Sequence, residues 1–423
     1  MKDIGNIEIM SPAGSFESLM AAIQGGAGSV YFGAGQLNMR SRSSSNFSPD
    51  EIRQIVQICN EKGVKSYLTL NTIIYDNELA EMMNMVDVAK ESGVTAIIAS
   101  DISVMEYARG KGVEIHISTQ CNITNIQAVR FYSRYAEVMV LARELNINQI
   151  AEITRKIKEE NICGPSGKPV KVEVFVHGAL CMAVSGKCYI SLDNFNQSAN
   201  RGACLQPCRR AYHVKDADSQ VELEIDNKYI MSPKDLMTIP ILNHLLDAGV
   251  TVLKIEGRGR SAEYVKTVTQ TYHEAVEGWI KNEYTQENIE NWTEKLRSVY
   301  NRGFWGGYYL GEKTGEWSEK YGSQATSKKV YIGVVVNYFK NLNVAEIRLE
   351  THSIKLNDDI LIIGPTTGAY EGKAAEIRVD LLPVDSAIKG DNCSIPVTET
   401  VRRGDKVYLV VSAGHPLFQS QSV

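Results

Sequence analysis

The sequence predicts an α/β protein: a closed, TIM-like (β/α)8 barrel followed by a small β-barrel module. Three observations lead there. Short apolar runs alternate with amphipathic, helix-length segments from residue 7 to about 280, the pattern of a parallel sheet with crossover helices. There are eight such runs, the number that closes this type of barrel. From Tyr331 onward the texture changes to β-branched strands, VYIGVVV, AEIRLE, DILIIG, AEIRV and DKVYLVV, separated by Gly, Asp and Asn turns.

The eight expected strands are Ile7 to Met10, Val30 to Phe32, Tyr67 to Leu70, Thr95 to Ile98, Ile115 to Ile117, Val138 to Leu141, Val172 to Val176 and Thr251 to Ile255. Between them, Ser48, Pro49 and Glu51 spell a capping box with proline at the first helical position. Ile52, Ile55, Val56 and Cys59 then recur at helical spacing, which makes Cys59 a small buried hydrophobe rather than a ligand. Leu79, Met82, Met83 and Val86 repeat the pattern up to Gly93, a natural C-terminal cap. One connection breaks the rhythm: almost sixty residues separate Val176 from a helix expected near Asp235. The expected division is therefore a barrel over 1–280 with an insertion at 177–231, a connecting segment at 281–328 and the β module at 329–423. The aromatic stretch NRGFWGGYYLG in the connecting segment is expected to pack the two modules together.

The chain carries a net charge of -5 and 43% hydrophobic residues, with no apolar run of the roughly 20 residues that cross a bilayer. Its opening, MKDIGNIEIM, lacks the apolar core of a secretory signal, so a cytoplasmic, non-membrane protein is expected. In a reducing compartment its eight cysteines read as thiols and ligands rather than disulfides.

Polar residues just after barrel strands point into the mouth, where such barrels hold their substrates. Here they are Ser11, Asn71, Asp101, Thr119, Gln120, Asn122, Arg143, Glu144, His177, Glu256 and Arg258. For Asp101 and Glu144 helix capping or structural pairing is the competing role. Arg143 and Arg258 imply an anionic ligand, because a guanidinium can grip a carboxylate or phosphate bidentately. Candidate catalytic groups are His177, Arg143, Glu144 and Glu256. Candidate substrate-binding groups are Arg143, Arg258, Asn71, Gln120, Arg209 and Arg210. His177 lies four residues before Cys181, so support of the cysteine loop is its alternative role.

Inside the insertion, six residues separate Cys181 from Cys188, fifteen more precede Cys204, and three more precede Cys208. Four thiolates suit either zinc or an iron-sulfur cluster, and spacing alone does not choose. Arg201, Arg209 and Arg210 flank them, and positive charge there can stabilise thiolates or track a phosphate backbone. Cys121 and Cys163 stand apart and read as structural.

The segment EVFVHGALCMAVSGKCYIS, Glu173 to Ser191, resembles the signature of the U32 peptidase (collagenase-like) family at every specified position. Similar blocks run through most of the chain: SPAG at 11–14, YFGAG at 31–35, ISTQ at 117–120, LARE at 141–144, NRGACLQPCR at 200–209, SPKDL at 232–236, KIEGR at 254–258 and NRGF at 301–304. After KIEGR the family commonly has a larger residue and Lys, where this chain has Gly259 and Arg260. The resemblance implies a 4Fe-4S cluster on Cys181, Cys188, Cys204 and Cys208. It further implies kinship with bacterial tRNA hydroxylation proteins, which use prephenate, a small dicarboxylate, to make 5-hydroxyuridine at the anticodon wobble position. The expected partners are thus tRNA and a small anionic metabolite. Two rivals stand beside this: a protease, although neither H-E-x-x-H nor G-x-S-x-G occurs, and a non-catalytic RNA-binding accessory protein.

Overall fold

The computed structural model describes residues 7–42, 46–212, 214–215, 222–223, 231–312, 315–320, 322–412 and 414–419. Eight parallel strands close on themselves: β1 (Glu8–Ala13), β2 (Ser29–Phe32), β3 (Lys65–Leu70), β4 (Ala96–Ala99), β5 (Glu114–Ile117), β6 (Val138–Val140), β7 (Lys171–Ala179) and β8 (Val252–Ile255). The closing ladder sets Glu8 opposite Val252, so the last strand seals against the first. Every expected apolar run is a strand. Each is short and buried on both faces, which is why it reads as continuous apolar sequence.

The helices of this region are α1 (Phe16–Gln24), α2 (Ile52–Glu61), α3 (Leu79–Ser92), α4 (Ile102–Gly110), α5 (Ile126–Tyr132), α6 (Ile147–Glu159), α7 (Ile190–Phe195), α8 (Leu242–Asp247), α9 (Ala262–Lys281) and α10 (Gln286–Ser298). Local sequence sets their ends. The Glu51 carboxylate accepts from the Ser48 amide at 2.7 Å, and Pro49–Glu51 form a 3-10 turn that leads into α2. Ile52, Ile55, Val56 and Cys59 are all buried, and burial pushes the Cys59 thiol up to about 12. Gly93 ends α3 with φ 77°, a left-handed conformation that favours glycine. Met83, expected on the buried face of α3, is exposed, and Met85 takes that face instead.

Two apolar layers result. Leu68, Ile97, Ile117, Leu253 and their neighbours pack outward against the helices, whereas Met10, Tyr31, Tyr67, Ala96, Ile98, Val138 and Val252 fill the barrel's inside. A fully buried residue of this size contributes about 1.5–3 kcal/mol. The lower end of the barrel is polar: Glu8 accepts from Tyr67 Oη at 2.7 Å and from Lys65 Nζ at 2.6 Å.

Two expectations are corrected. Asp235 begins no helix: Asp235–Met237 is a short strand antiparallel to β7, and the helix starts at Leu242. Aromatic residues of the connecting segment do not fill a junction between modules. Trp305 and Tyr309 are buried on the barrel, and Tyr309 Oη donates to the Phe175 carbonyl at 2.6 Å.

From Ser327 an eight-stranded antiparallel sheet surrounds its own core, which includes Ile332, Val335, Ile347, Ile362 and Val407. Its hairpin Asp359–Gly364 and Gly368–Lys373 packs on α1 and α9. Gln24 fixes that contact: Nε2 donates to the Thr367 carbonyl at 2.9 Å, and Oε1 accepts from the Ala369 amide at 3.1 Å. Lys266 Nζ donates to the Ala369 carbonyl at 2.6 Å, and Lys329 pairs with Glu263 at 2.8 Å. No helix among the described residues is long and apolar enough to cross a membrane.

Candidate functional site

Period-two alternation along β8 and the segment that follows it carries three charged side chains inward in sequence, Lys254, Glu256 and Arg258, to the cavity. Lys254 pairs at 2.7 Å with Glu173, which is fully buried on the neighbouring strand. Its ammonium also lies 4.7 Å from the centre of the Tyr31 ring. Glu256 accepts from Arg40 Nη2 at 3.0 Å and lies 3.3 Å from the Tyr31 hydroxyl. Burial alone would push the Glu256 carboxyl up; Arg40, Arg143 and Arg258 outweigh it and hold the group below the usual carboxylate range.

Arg258 is 6% exposed and donates from Nη1 to Asn38 Oδ1 at 3.0 Å and Thr69 Oγ1 at 3.1 Å. Burial lowers its guanidinium to about 10, which leaves it charged at neutral pH. Gly33 makes room for it: a Cβ there would stand 2.2 Å from Arg258 Nη1. Arg143 lies with Cζ 3.9 Å from the centre of the Phe175 ring and donates from Nη1 to the Ala179 carbonyl at 3.3 Å. Its buried Nε has no hydrogen-bond partner among the described residues. Asn71 accepts from the Met39 amide at 3.1 Å and donates to Ser118 Oγ at 3.2 Å, next to Gln120.

Above these groups, residues 179–209 of the insertion wall the mouth and bring Cys181, Cys188, Cys204 and Cys208 to the same cavity, whose empty space is about 1250 Å3 out to its open rim. Arg209 pins the loop by donating to Ser232 Oγ at 3.0 Å, the Pro233 carbonyl at 2.6 Å and the Leu180 carbonyl at 2.6 Å. Gln206, between two of the cysteines, is held at φ 54°, a strained conformation for a side chain of this kind. All four thiols are free of disulfides. Burial, together with the nearby thiols of the set, raises Cys188, and burial pushes Cys208 up to about 11. Among the described residues no three His, Cys, Asp or Glu stand close enough to hold a single metal ion.

The cavity therefore gathers Arg143, Glu256, Arg258, Asn71, Gln120, Arg209 and all four clustered cysteines. It does not gather His177, Glu144 or Arg210. A register shift between β7 and β8 sets Lys254 opposite Phe175 but Ile255 opposite His177, and the extra residue turns the imidazole outward. There His177 is 1% exposed among Tyr264, Tyr272 and Phe304, and burial lowers it to about 3, so it is neutral and outside the cavity lining. Glu144 is exposed, and Arg210 is exposed with its Cζ 4.9 Å from the Phe195 ring centre. Of the other mouth residues, Ser11 turns outward to Thr269 at 2.6 Å, and Asn122 braces the insertion by donating to the Ser185 carbonyl at 3.1 Å. Asp101 caps α4, accepting from the Ser103 amide at 2.9 Å. Arg201 pairs with Glu78 and lies 4.2 Å from the Tyr75 ring centre, a structural role.

Sequence reasoning missed Arg40, Lys254 and Glu173. The last two could be found by carrying strict alternation back from Glu256 and Phe175. Arg40 arrives from a loop and gives no periodic signal.

The sequence model described as Peptidase family U32 matches residues 14–319. A protein of Porphyromonas gingivalis named "Collagenase" is 55% identical over 96% of this chain and 98% of its own length. "tRNA hydroxylation protein P1" of Bacillus subtilis is 30% identical over 85% of this chain and 83% of its own. "23S rRNA 5-hydroxycytidine C2501 synthase" of Escherichia coli is 36% identical over 65% of this chain and 40% of its own.

Proposed function

Because this chain belongs to peptidase family U32, we propose that it is an iron-sulfur, RNA-modifying enzyme of that family, hydroxylating the wobble uridine of tRNA to 5-hydroxyuridine without molecular oxygen and with prephenate as co-substrate. One observation carries the reading: four cysteines and an excess of cationic side chains face the same cavity at the open end of the barrel. Among the described residues, Arg40, Arg143, Arg209, Lys254 and Arg258 stand against only Glu256 in the lining and Glu173 behind Lys254, a balance that favours an anion.

The donor set fits a cluster better than one ion. Four thiolates on a single zinc lie within about 4 Å of one another, given zinc-sulfur bonds of about 2.3 Å, whereas a cubane gives each thiolate its own iron and spreads them. Cys181, Cys188, Cys204 and Cys208 would hold it, and when bound it would supply electron transfer or a Lewis-acidic iron. The chain's own groups do the rest. Arg143, whose Nε has no partner among the described residues, takes one carboxylate of the small metabolite. Glu256 keeps Arg40 oriented for the other, and Asn71 and Gln120 offer amide groups that can read a base edge. A target uridine has to leave its stack to reach a cavity this deep, which suits an anticodon loop better than a duplex.

A second reading, peptide cleavage, is favoured by the name of the 55% identical relative. Against it, the cavity lining contains no histidine among the described residues, and Ser185 has Thr119 Oγ1 at 3.4 Å as its side-chain neighbour rather than a base.

The test is anaerobic purification with absorption spectrum and iron content, alongside nucleoside analysis of tRNA from cells with and without the gene. Brown, iron-bearing protein and loss of 5-hydroxyuridine in the deletion are expected. Colourless protein that cleaves gelatin in a metal-dependent way would sink the RNA reading in favour of the peptidase.

A further inference from the structure

A second cavity lies beside the first, lined by Leu205, Gln206, Arg209, Arg210, Ser232, Tyr300, Arg302, Lys320 and Gly322. Four of these residues are cationic, and none of them is acidic. Two of them, Gln206 and Arg209, also line the main cavity, so the two spaces share one wall, formed by the loop that carries Cys204 and Cys208.

The charges here are only partly matched. Arg302 pairs with Asp235 at 3.1 Å, and Arg260 reaches the same carboxylate only at 3.9 Å, so one buried acid serves two guanidiniums. Arg209 spends its donors on a hydroxyl and two carbonyls and meets the repulsive charge of Arg302. Arg210 and Lys320 are exposed at the rim. Two cations lie close to the Tyr300 ring, with Arg260 Cζ 3.7 Å and Arg302 Cζ 5.3 Å from its centre, contacts that help hold those guanidiniums in place before any ligand arrives. Crowded, pre-positioned positive charge of this kind is relieved by an anion with several acceptor oxygens.

We propose that this second cavity seats a phosphodiester of the RNA chain adjoining the nucleotide that enters the main cavity. The inference rests on the RNA reading above and adds a place for the backbone. The shared wall supplies the geometry: a nucleotide turned into the main cavity leaves its neighbouring phosphate outside, on the far side of Gln206 and Arg209. Phosphate contacts position a nucleic acid without reading its sequence, so this pocket sets register while the main cavity selects the base.

The test uses the full chain, purified anaerobically, with bulk tRNA as the probe and binding measured across a salt series. Arg210→Gln with Lys320→Gln removes the two rim charges and leaves the loop bonds of Arg209 and the Asp235 pair intact. Expected is at least a tenfold loss of tRNA affinity and a salt slope shallower by about 1 to 2, the share of one or two phosphate contacts. A matched double variant, Lys62→Gln with Lys168→Gln, removes exposed charges preceding β3 and β7 at the opposite end of the barrel and is expected to leave both quantities unchanged. Equal losses in the two double variants, or none in the first while the parent binds tRNA, overturns the pocket and leaves the RNA reading standing. A parent that binds no tRNA overturns both. Inorganic phosphate titrated alone is the third arm: affinity for it as tight as for tRNA assigns the cavity to a free anion and overturns the backbone seat.

Discussion

At the scale of single residues, His177 is the clearest case of a side chain whose type suggests one role and whose surroundings impose another. Enclosed by three aromatic rings and lowered to about 3, it stays neutral in the folded protein when an unfolded imidazole, with its ordinary value near 6.5, already takes up a proton. The unfolded state therefore binds more protons below pH 6.5, and stability falls as pH drops from there towards 3, by at most about 1.4 kcal/mol per pH unit. Urea unfolding at several pH values is expected to show this slope in the parent and a flatter one in His177→Phe; parallel slopes would mean that the imidazole is not shielded. If the proposed cluster is held as argued above, Cys188→Ala is expected to lose its iron, and full iron stoichiometry in that variant would strike Cys188 from the proposed ligands. The cysteine clustering was legible because spacing within one oversized loop is visible in sequence. The failure at His177 came from a single extra residue in β7, which turns that side chain to the other face and leaves no mark in the residue types.

At the scale of elements, glycines explain how strand ends and charged groups come so close. Gly14, just after β1, lies under the backbone of Arg258: a Cβ there would stand 1.9 Å from the Arg258 carbonyl oxygen, closer than any contact real atoms accept. Gly14→Ala must push β1 and the segment after β8 apart where the barrel closes. A loss of about 3 kcal/mol is expected in chemical denaturation; a midpoint within 0.5 kcal/mol of the parent, a rough limit for a neutral change, would show that the two segments are free to separate. Strand existence was readable here because each barrel strand is a short apolar run between turns. The strand at Asp235–Met237 was not, because three residues held by β7 on one side carry no pattern of their own. Arg40 was hidden for a related reason, since it reaches Glu256 from a loop whose path depends on Gly202 and Asn38 rather than on any repeat.

At the scale of the whole molecule, the β module was foreseen from its change of texture, but its seat was not, because the residues that make the contact, Gln24 and Lys266, look like ordinary exposed positions of amphipathic helices. Ending the chain before Ser327 would bare the apolar face of α1 and α9 against which Leu361 and Ala369 pack. The shortened protein is expected to unfold at least 5 °C lower, roughly what two to three kcal/mol does to a chain of this size, and to aggregate on heating. Melting at the parent's temperature would make the module a passive appendage. The helices it grips have a further significance. α1 follows the first barrel strand and α9 follows the last, so the hairpin straddles the seam where a cylinder made from a linear chain must be sewn shut. That stitch joins segments some 240 residues apart, the most entropically demanding contact of the barrel. A clasp across it links rim and wall: opening the cylinder first requires the tail to let go, so the two halves of the chain should melt as one.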